Sequence, residues 1–389
     1  MLNRPRTRGR CWSEPKGGAA WTAAKRHRQR RPKLVLYFDI RNTILVADSI
    51  ANVTVEQCLN SYLTSVAWGH VIDNHWRWLD KPEPSIQKPS PAAVSYYKYA
   101  ESELTEQNLP RFRFRRSLGD FTRKEIGRPF RPIFEKTLKA LEYAHDYNAY
   151  LAMTSESGAG DNKYFHYILP SFFELLRHLK QTQRDFTVVL RTYGLDGPNV
   201  LTAAQLMADG SHPEFDALPD LRINENTGKL IRAENNQFRL KHGGTICQSE
   251  REIYEHFVDC PDNLLAIIDD FHYWQNNKFA HEAGKPFWVD PYDEGQRCLQ
   301  MFFDDNIRTA DADSIVNVRV FESRIDTRDH EDDDDVAEQS RSLSSQQMEQ
   351  CQNLVQVDLL KAIENREYYK DLVVKLETAL MAENFWAKQ

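Results

Sequence analysis

Leu34-Val35-Leu36-Tyr37-Phe38-Asp39-Ile40-Arg41-Asn42-Thr43 is the stretch on which the fold turns. Five apolar residues in succession, without polar alternation, mark a strand buried on both faces. The run stops at a carboxylate. The pattern returns at Phe186-Thr187-Val188-Val189-Leu190, which ends in Arg191 and Thr192. It returns again at Leu264 to Ile268, closed by Asp269-Asp270, and at Leu299 to Phe303, closed by Asp304-Asp305. Ser314 to Phe321 alternates, is β-branched and reads as the last strand. Between these runs, Phe134, Leu138 and Leu141 share one helical face, as do Phe172, Leu175, Leu176 and Leu179. Ser249 with Glu252 resembles a capping box opening another helix. Strands alternating with helices predict an α/β domain with a mostly parallel sheet. Its ligand site is expected beyond the carboxyl ends of the strands, where these polar residues fall.

The chain has 389 residues, 41% hydrophobic and 28% charged, enough apolar material for a sizeable core. No stretch approaches the roughly eighteen apolar residues of a membrane span, so no membrane association is expected. The six cysteines form no CxxC pair, which argues against a disulfide framework and a cysteine zinc site and fits a reducing compartment. No apolar run follows the first basic residues, so no secretory signal is read. The expected location is cytoplasmic or nuclear.

Charge divides the chain unevenly. Net charge is −7, but residues 1–33 hold eleven Lys or Arg against one acid, leaving −17 for the rest. This basic tail lacks a hydrophobic period and is expected to be disordered. Its end, Lys25 to Arg31, suits a nuclear address or a weak nucleic-acid contact; its composition also suits a transit peptide or a plain solvated tail. Glu331 to Asp335 is a run of five acids, within a linker expected over 325–350. Beyond it, Cys351, Val355, Leu359, Ala362, Tyr369, Val373, Leu376 and Leu380 recur at helical spacing, predicting one amphipathic helix over 351–389. That helix either packs back on the body or binds a protein partner, including a second copy. The core is assigned to 34–46 and 166–324. The intervening 47–165, rich in aromatics such as Trp68, Trp76, Trp78, Tyr96 and Tyr97, reads as an inserted helical cap.

The strand ends together supply a carboxylate, a hydroxyl and further acids. Oxygen ligands without a His or Cys cluster suit Mg²⁺, and a carboxylate attacking phosphorus gives an aspartyl-phosphate. These residues resemble the motifs of the haloacid dehalogenase-like superfamily, of which the chain looks like a divergent member. Phe38-Asp39-Ile40-Arg41-Asn42-Thr43 is similar to the first motif, usually Asp-x-Asp-x-Thr/Val. Val189-Leu190-Arg191-Thr192 is similar to the second, Gly284-Lys285-Pro286 to the third and Phe302-Phe303-Asp304-Asp305-Asn306 to the fourth. The resemblance implies a Rossmann-like core with a cap after the first motif. It makes Asp39 the nucleophile and a Mg²⁺ ligand, the Arg41 carbonyl a second ligand and Asp304 or Asp305 a third. Thr192 and Lys285 would hold the phosphoryl oxygens, and Arg41 and Asn42 would face a small phosphorylated substrate. A rival register takes Asp269 and Asp270 as the acid pair and Lys241 as the lysine; the later pair follows the cleaner strand.

One departure bears on activity. The second Asp of the first motif, the family's general acid and base, is Arg41. Guanidinium does not titrate near neutral pH, and loss of acid–base help typically costs about 10²–10⁴ in rate. Arg41 can instead grip an anion, or pair with Asp304 or Asp305 and fill the metal's place. Two functions follow. One is a Mg²⁺-dependent phosphatase or phosphotransferase, weakened by Arg41. The other is a non-catalytic interaction protein acting through the basic tail and the C-terminal helix. No P-loop, GxGxxG, HExxH or GxSxG pattern points elsewhere.

Overall fold

β1 (Lys33–Phe38) is a central strand, and its side chains show why. Leu34, Leu36 and Phe38 enter one core layer, and Val35 and Tyr37 enter another. The computed structural model describes residues 31–46, 53–79, 82–105, 111–144, 150, 164–232, 237–293, 297–308, 314–322 and 340–383. The other strands, in chain order, are β2 (Trp68–Ile72), β3 (His75–Trp78), β4 (Val94–Ser95), β5 (Phe186–Thr192), β6 (Ile223–Arg232), β7 (Phe238–His242), β8 (Thr245–Cys247), β9 (Leu264–Ile268), β10 (Lys285–Val289), β11 (Cys298–Asp304), β12 (Val316–Phe321), β13 (Ser340–Ser342) and β14 (Leu354–Gln356).

The main sheet has eight strands in the order β14-β11-β1-β5-β9-β6-β7-β8. All are parallel from β14 to β6, while β7 and β8 are antiparallel. The chain is therefore α/β with a mostly parallel sheet. From β1 it passes through β5 to β6, β7 and β8 at the far edge, returns to place β9 between β5 and β6, and later crosses to β11 on the other side of β1. The strand order reverses between β1 and β11, and such a switch point leaves a crevice at the carboxyl ends. Phe38 lies in register with Phe303 and Leu190, so Asp39 and Asp304 flank that crevice.

The two faces are covered differently. Helices Val55–Ser65, Pro170–Gln181, Gly197–Ala208 and Tyr368–Glu383 contribute to the layer containing Phe38. The Phe38 ring stacks on Phe303 with centroids 4.4 Å apart and meets Phe172 and Tyr369 edge-on. Helix Glu250–Val258 and a second, three-stranded sheet, β10-β12-β13, contribute to the layer containing Tyr37. Ser314 to Phe321 therefore supplies β12 of this second sheet and does not extend the first. β10 and β12 of the second sheet are as buried as β1, β5, β9 and β11 of the first, so local sequence does not separate the two sheets.

The inserted segment is not purely helical. Its helices, including Val55–Ser65 and Arg131–Leu141, accompany an antiparallel sheet in the order β3-β2-β4. The turn from β2 to β3 is made by Asp73 and Asn74, both at positive φ, as a two-residue hairpin of matching twist requires. Leu59, Leu63, Phe121 and Phe130 share the core layer of β1, and the chain from Pro32 onward forms one compact unit.

The single helix expected over 351–389 is replaced by β14 and the helices Leu359–Glu364 and Tyr368–Glu383. Val355 fits a helical stripe by spacing, yet it pairs with Phe303 along the edge of the main sheet. Asp358 caps the first helix through the Lys361 N–H at 3.2 Å, and Asn365 ends it. Leu359, Ala362, Tyr369, Val373 and Leu380 are buried in the core, so the helices pack back on the body. The expected linker contains β13 and the helix Ser345–Met348. The basic tail up to Arg30 and the acidic run lie outside the described residues. Among the described residues, no helix is long and apolar enough to cross a membrane.

Candidate active site at the sheet switch point

Asp39, Lys285 and Asp304 meet at the crevice between β1 and β11. Lys285 opens β10 in the second sheet and is wholly buried. Its Nζ donates to Asp39 Oδ1, to Asp304 Oδ2 at 2.8 Å and to the Arg191 carbonyl at 3.1 Å. The second sheet thus delivers the cation that the ends of the first require. Asp305 completes the group: Asp39, Asp304 and Asp305 each present a carboxylate oxygen, all within 4.8 Å of one another. Asn42 Nδ2 reaches Asp305 at 3.3 Å, and the Asn306 side chain donates to it at 2.8 Å. The Asn306 backbone N–H donates to Asp304 at 2.8 Å. Asn42 sits at φ 55° in the turn after Asp39, a conformation Asn tolerates better than most residues.

Three carboxylates face one ammonium, and the protonation states reflect it. Burial pushes the Asp39 carboxyl up to about 7; Lys285 pulls it down and Asp304 pushes it further up. Burial, then Asp304 and Asp39, hold Asp305 well above the usual carboxylate range. Burial alone would lower Lys285, but Asp304 and Asp39 outweigh it and hold the ammonium above its ordinary value. The three carboxylates offer oxygen atoms of the kind a hard divalent cation takes as ligands.

Thr192 and Arg41 occupy a neighbouring position. The Thr192 hydroxyl accepts from the Gly194 N–H at 2.9 Å. Arg41 does not pair with Asp304 or Asp305. Its Nε donates to Asp196 at 2.9 Å, in the loop following β5. A Cβ at Gly194 would stand 2.9 Å from the Asp196 carboxylate and 3.3 Å from the Arg41 guanidinium, so a side chain there would push against this pair.

The rival acid pair has other partners. Asp269 accepts both arms of Arg191, at 2.5 and 3.0 Å. Asp270 caps the helix Phe271–Asn276 through the Tyr273 N–H at 3.0 Å. Lys241 lies exposed on β7, four strands from β1. The geometry brings together Asp39, Asn42, Lys285, Asp304 and Asp305.

Arg191 and Asp196 carry weight that the sequence reading did not assign. Arg191 is fully buried, lies 5.9 and 5.8 Å from the Tyr37 and Phe302 rings and donates to the Pro286 carbonyl at 3.0 Å. It joins β5, β9 and β10 and presents its own carbonyl to Lys285. A signal was available, since an arginine inside a buried apolar strand must find a buried acid. Asp196 offered none, being one polar residue in a loop.

A cavity of about 650 Å³ opens beside this group, between residues of the segment that joins β1 to β5 and the loops after β9 and β11. Asp305 and Asn306 line it, with Tyr62, Trp68, Lys98 and Phe279. No family model matches the chain, and neither does any curated protein or solved structure.

Proposed function

We propose that the chain is a divergent haloacid dehalogenase-like protein that transfers phosphoryl groups through Asp39 with Mg²⁺. The observation that carries this reading is the Lys285 ammonium buried between Asp39 and Asp304 at the sheet switch point. Asp39, the Arg41 carbonyl and Asp304 or Asp305 would hold the ion, which when bound offsets repulsion between the carboxylate and the incoming phosphate. In the first step an Asp39 oxygen bonds to phosphorus, the ester P–O bond breaks and an aspartyl-phosphate forms. The departing alkoxide takes its proton from water, because Arg41 cannot supply one. In the second step water bonds to phosphorus, the bond to Asp39 breaks, and phosphate leaves. Thr192 and Lys285 are the donors for the phosphoryl oxygens. The cavity beside Asp305, with the insert as its roof, would receive the leaving group and exclude water. Arg41, held on Asp196, contributes charge and a bidentate grip in place of a proton shuttle.

The Arg41–Asp196 pair also favours a second reading, in which the site binds an anion without turnover and the chain serves as an interaction protein. A panel of small phosphate esters with Mg²⁺, tested on wild type, Asp39→Asn and Arg41→Asp, separates the two. Turnover in wild type that vanishes in Asp39→Asn supports transfer. Silence in wild type with gain in Arg41→Asp supports the binding site. Silence in all three removes both catalytic forms.

A further inference from the structure

The far end of the main sheet carries an unpaired basic face. Lys229 on β6 stands opposite Lys241 on β7, which stands opposite Ile246 on β8; beside them Ile231 faces Arg239. All five are exposed, Ile231 at 40% and Ile246 at 55%. Cross-strand neighbours lie about 4.5–5.5 Å apart at Cβ, and like charges placed so repel. Among the described residues, the side chains of Lys229, Arg239 and Lys241 have no hydrogen-bond or ion-pair partner. This concentration of positive charge belongs to a body that carries −17 beyond residue 33.

We propose that this face docks the chain's own acidic run, Glu331–Asp335. Charge complementarity is the first argument: five consecutive acids meet three unpaired cations. Reach is the second. The 17 residues from 323 to 339 lie outside the described residues, between two anchors that are close together. Glu322 pairs with Arg341 at 3.1 Å, and Ser340 donates to Glu250, three residues beyond β8. A loop leaving and returning at one place extends about 28 Å at 3.3 Å per residue, and the acidic run begins at its midpoint. The step from Glu250 to Cys247 is at most about 11 Å, and β8 to β6 adds about 10 Å. The run therefore spans the face around the outer edge of β8: Asp335, five residues from Ser340, reaches about 17 Å, as far as β8, and Glu331 at the midpoint reaches β6. Tethering raises its local concentration to about the millimolar range, and the contact weakens with salt.

The test uses the full chain. Amine acetylation read by mass spectrometry compares wild type with a variant carrying Glu331→Gln, Asp332→Asn, Asp333→Asn, Asp334→Asn and Asp335→Asn. Lys229 and Lys241 should react about threefold faster in the variant, and in wild type at about 0.5 M salt. Carbodiimide should link Lys229 or Lys241 to the acidic run within one chain. Equal reactivity in both proteins overturns the proposal. So do crosslinks found only between isotopically light and heavy copies, which make a second copy the occupant. Protection that disappears on nuclease treatment likewise overturns it in favour of a nucleic acid.

Discussion

The Lys285 ammonium donates to Asp304 at 2.8 Å with both side chains fully buried. Asp39 shares the same ammonium, so one cation serves two carboxylates and faces a third at Asp305. Removing it leaves the acids uncompensated in a low-dielectric place. Lys285→Met is expected to lose about 3–5 kcal/mol at pH 8 and less at pH 5.5, where the acids take up protons instead. Urea unfolding at both pH values measures this. An equal loss at the two would mean that the packing of the side chain, rather than its charge, is what matters.

Asp39 sets a pH dependence with a definite sign. Its carboxyl is raised from 3.8 to about 7 by burial. Between those values the folded protein keeps a proton that the unfolded chain has released, so stability falls as pH rises from about 4 to about 7 and levels off above. Asp305, raised for the same reason, acts in the same direction. A bound divalent cation replaces that proton. Saturating Mg²⁺ should therefore raise the melting temperature more at pH 8 than at pH 5.5. A Mg²⁺ effect independent of pH would place the ion elsewhere.

Arg191 and Asp269 make a bidentate pair beneath the site. Arg191→Met should cost about 3–5 kcal/mol, because Asp269 is left buried without its partner. Arg191→Lys keeps the charge but loses the planar fork, so a smaller loss is expected. Guanidinium unfolding ranks the three proteins, and a lysine variant no better than the methionine one would make the fork geometry, rather than charge, the stabilising element.

Tyr369 reaches from the C-terminal helix to the Thr43 carbonyl, in the loop that follows Asp39. Tyr369→Phe leaves that buried carbonyl unsatisfied, at a cost of about 1–3 kcal/mol. Hydrogen exchange should quicken at Asn42, whose N–H donates to the Leu45 carbonyl at 2.8 Å, and at Leu45, whose N–H donates to the Ile40 carbonyl at 2.9 Å. Unchanged exchange there would uncouple the helix from the site.

Much of the architecture was legible because burial on both faces writes itself as an unbroken apolar run. β1, β5, β9 and β11 announce themselves in this way, and the acids and threonine after them mark the carboxyl ends. β6 to β8 do not, since Ile223-Asn224-Glu225-Asn226-Thr227 is a half-exposed segment at the sheet's far end. β14 was hidden because Cys351, Val355 and Leu359 share the spacing of a helical stripe. The choice between the acid pairs depended on Lys285 arriving from another sheet and on Arg191 claiming Asp269. Both are tertiary relations without a local signature.

The central place of β1 has a consequence for biosynthesis. Leu34 finds its lateral partners in Phe186 and Leu299, 152 and 265 residues downstream. At about 5–20 residues per second, a ribosome needs roughly 13–53 s to deliver the second of them. Both hydrogen-bonding edges of this apolar strand stay open until Phe186 emerges and one stays open until Leu299 does, the condition that invites mispairing between nascent chains. Yield in the cell should consequently respond to holdase chaperones and slow growth temperatures before it responds to anything done at the pocket.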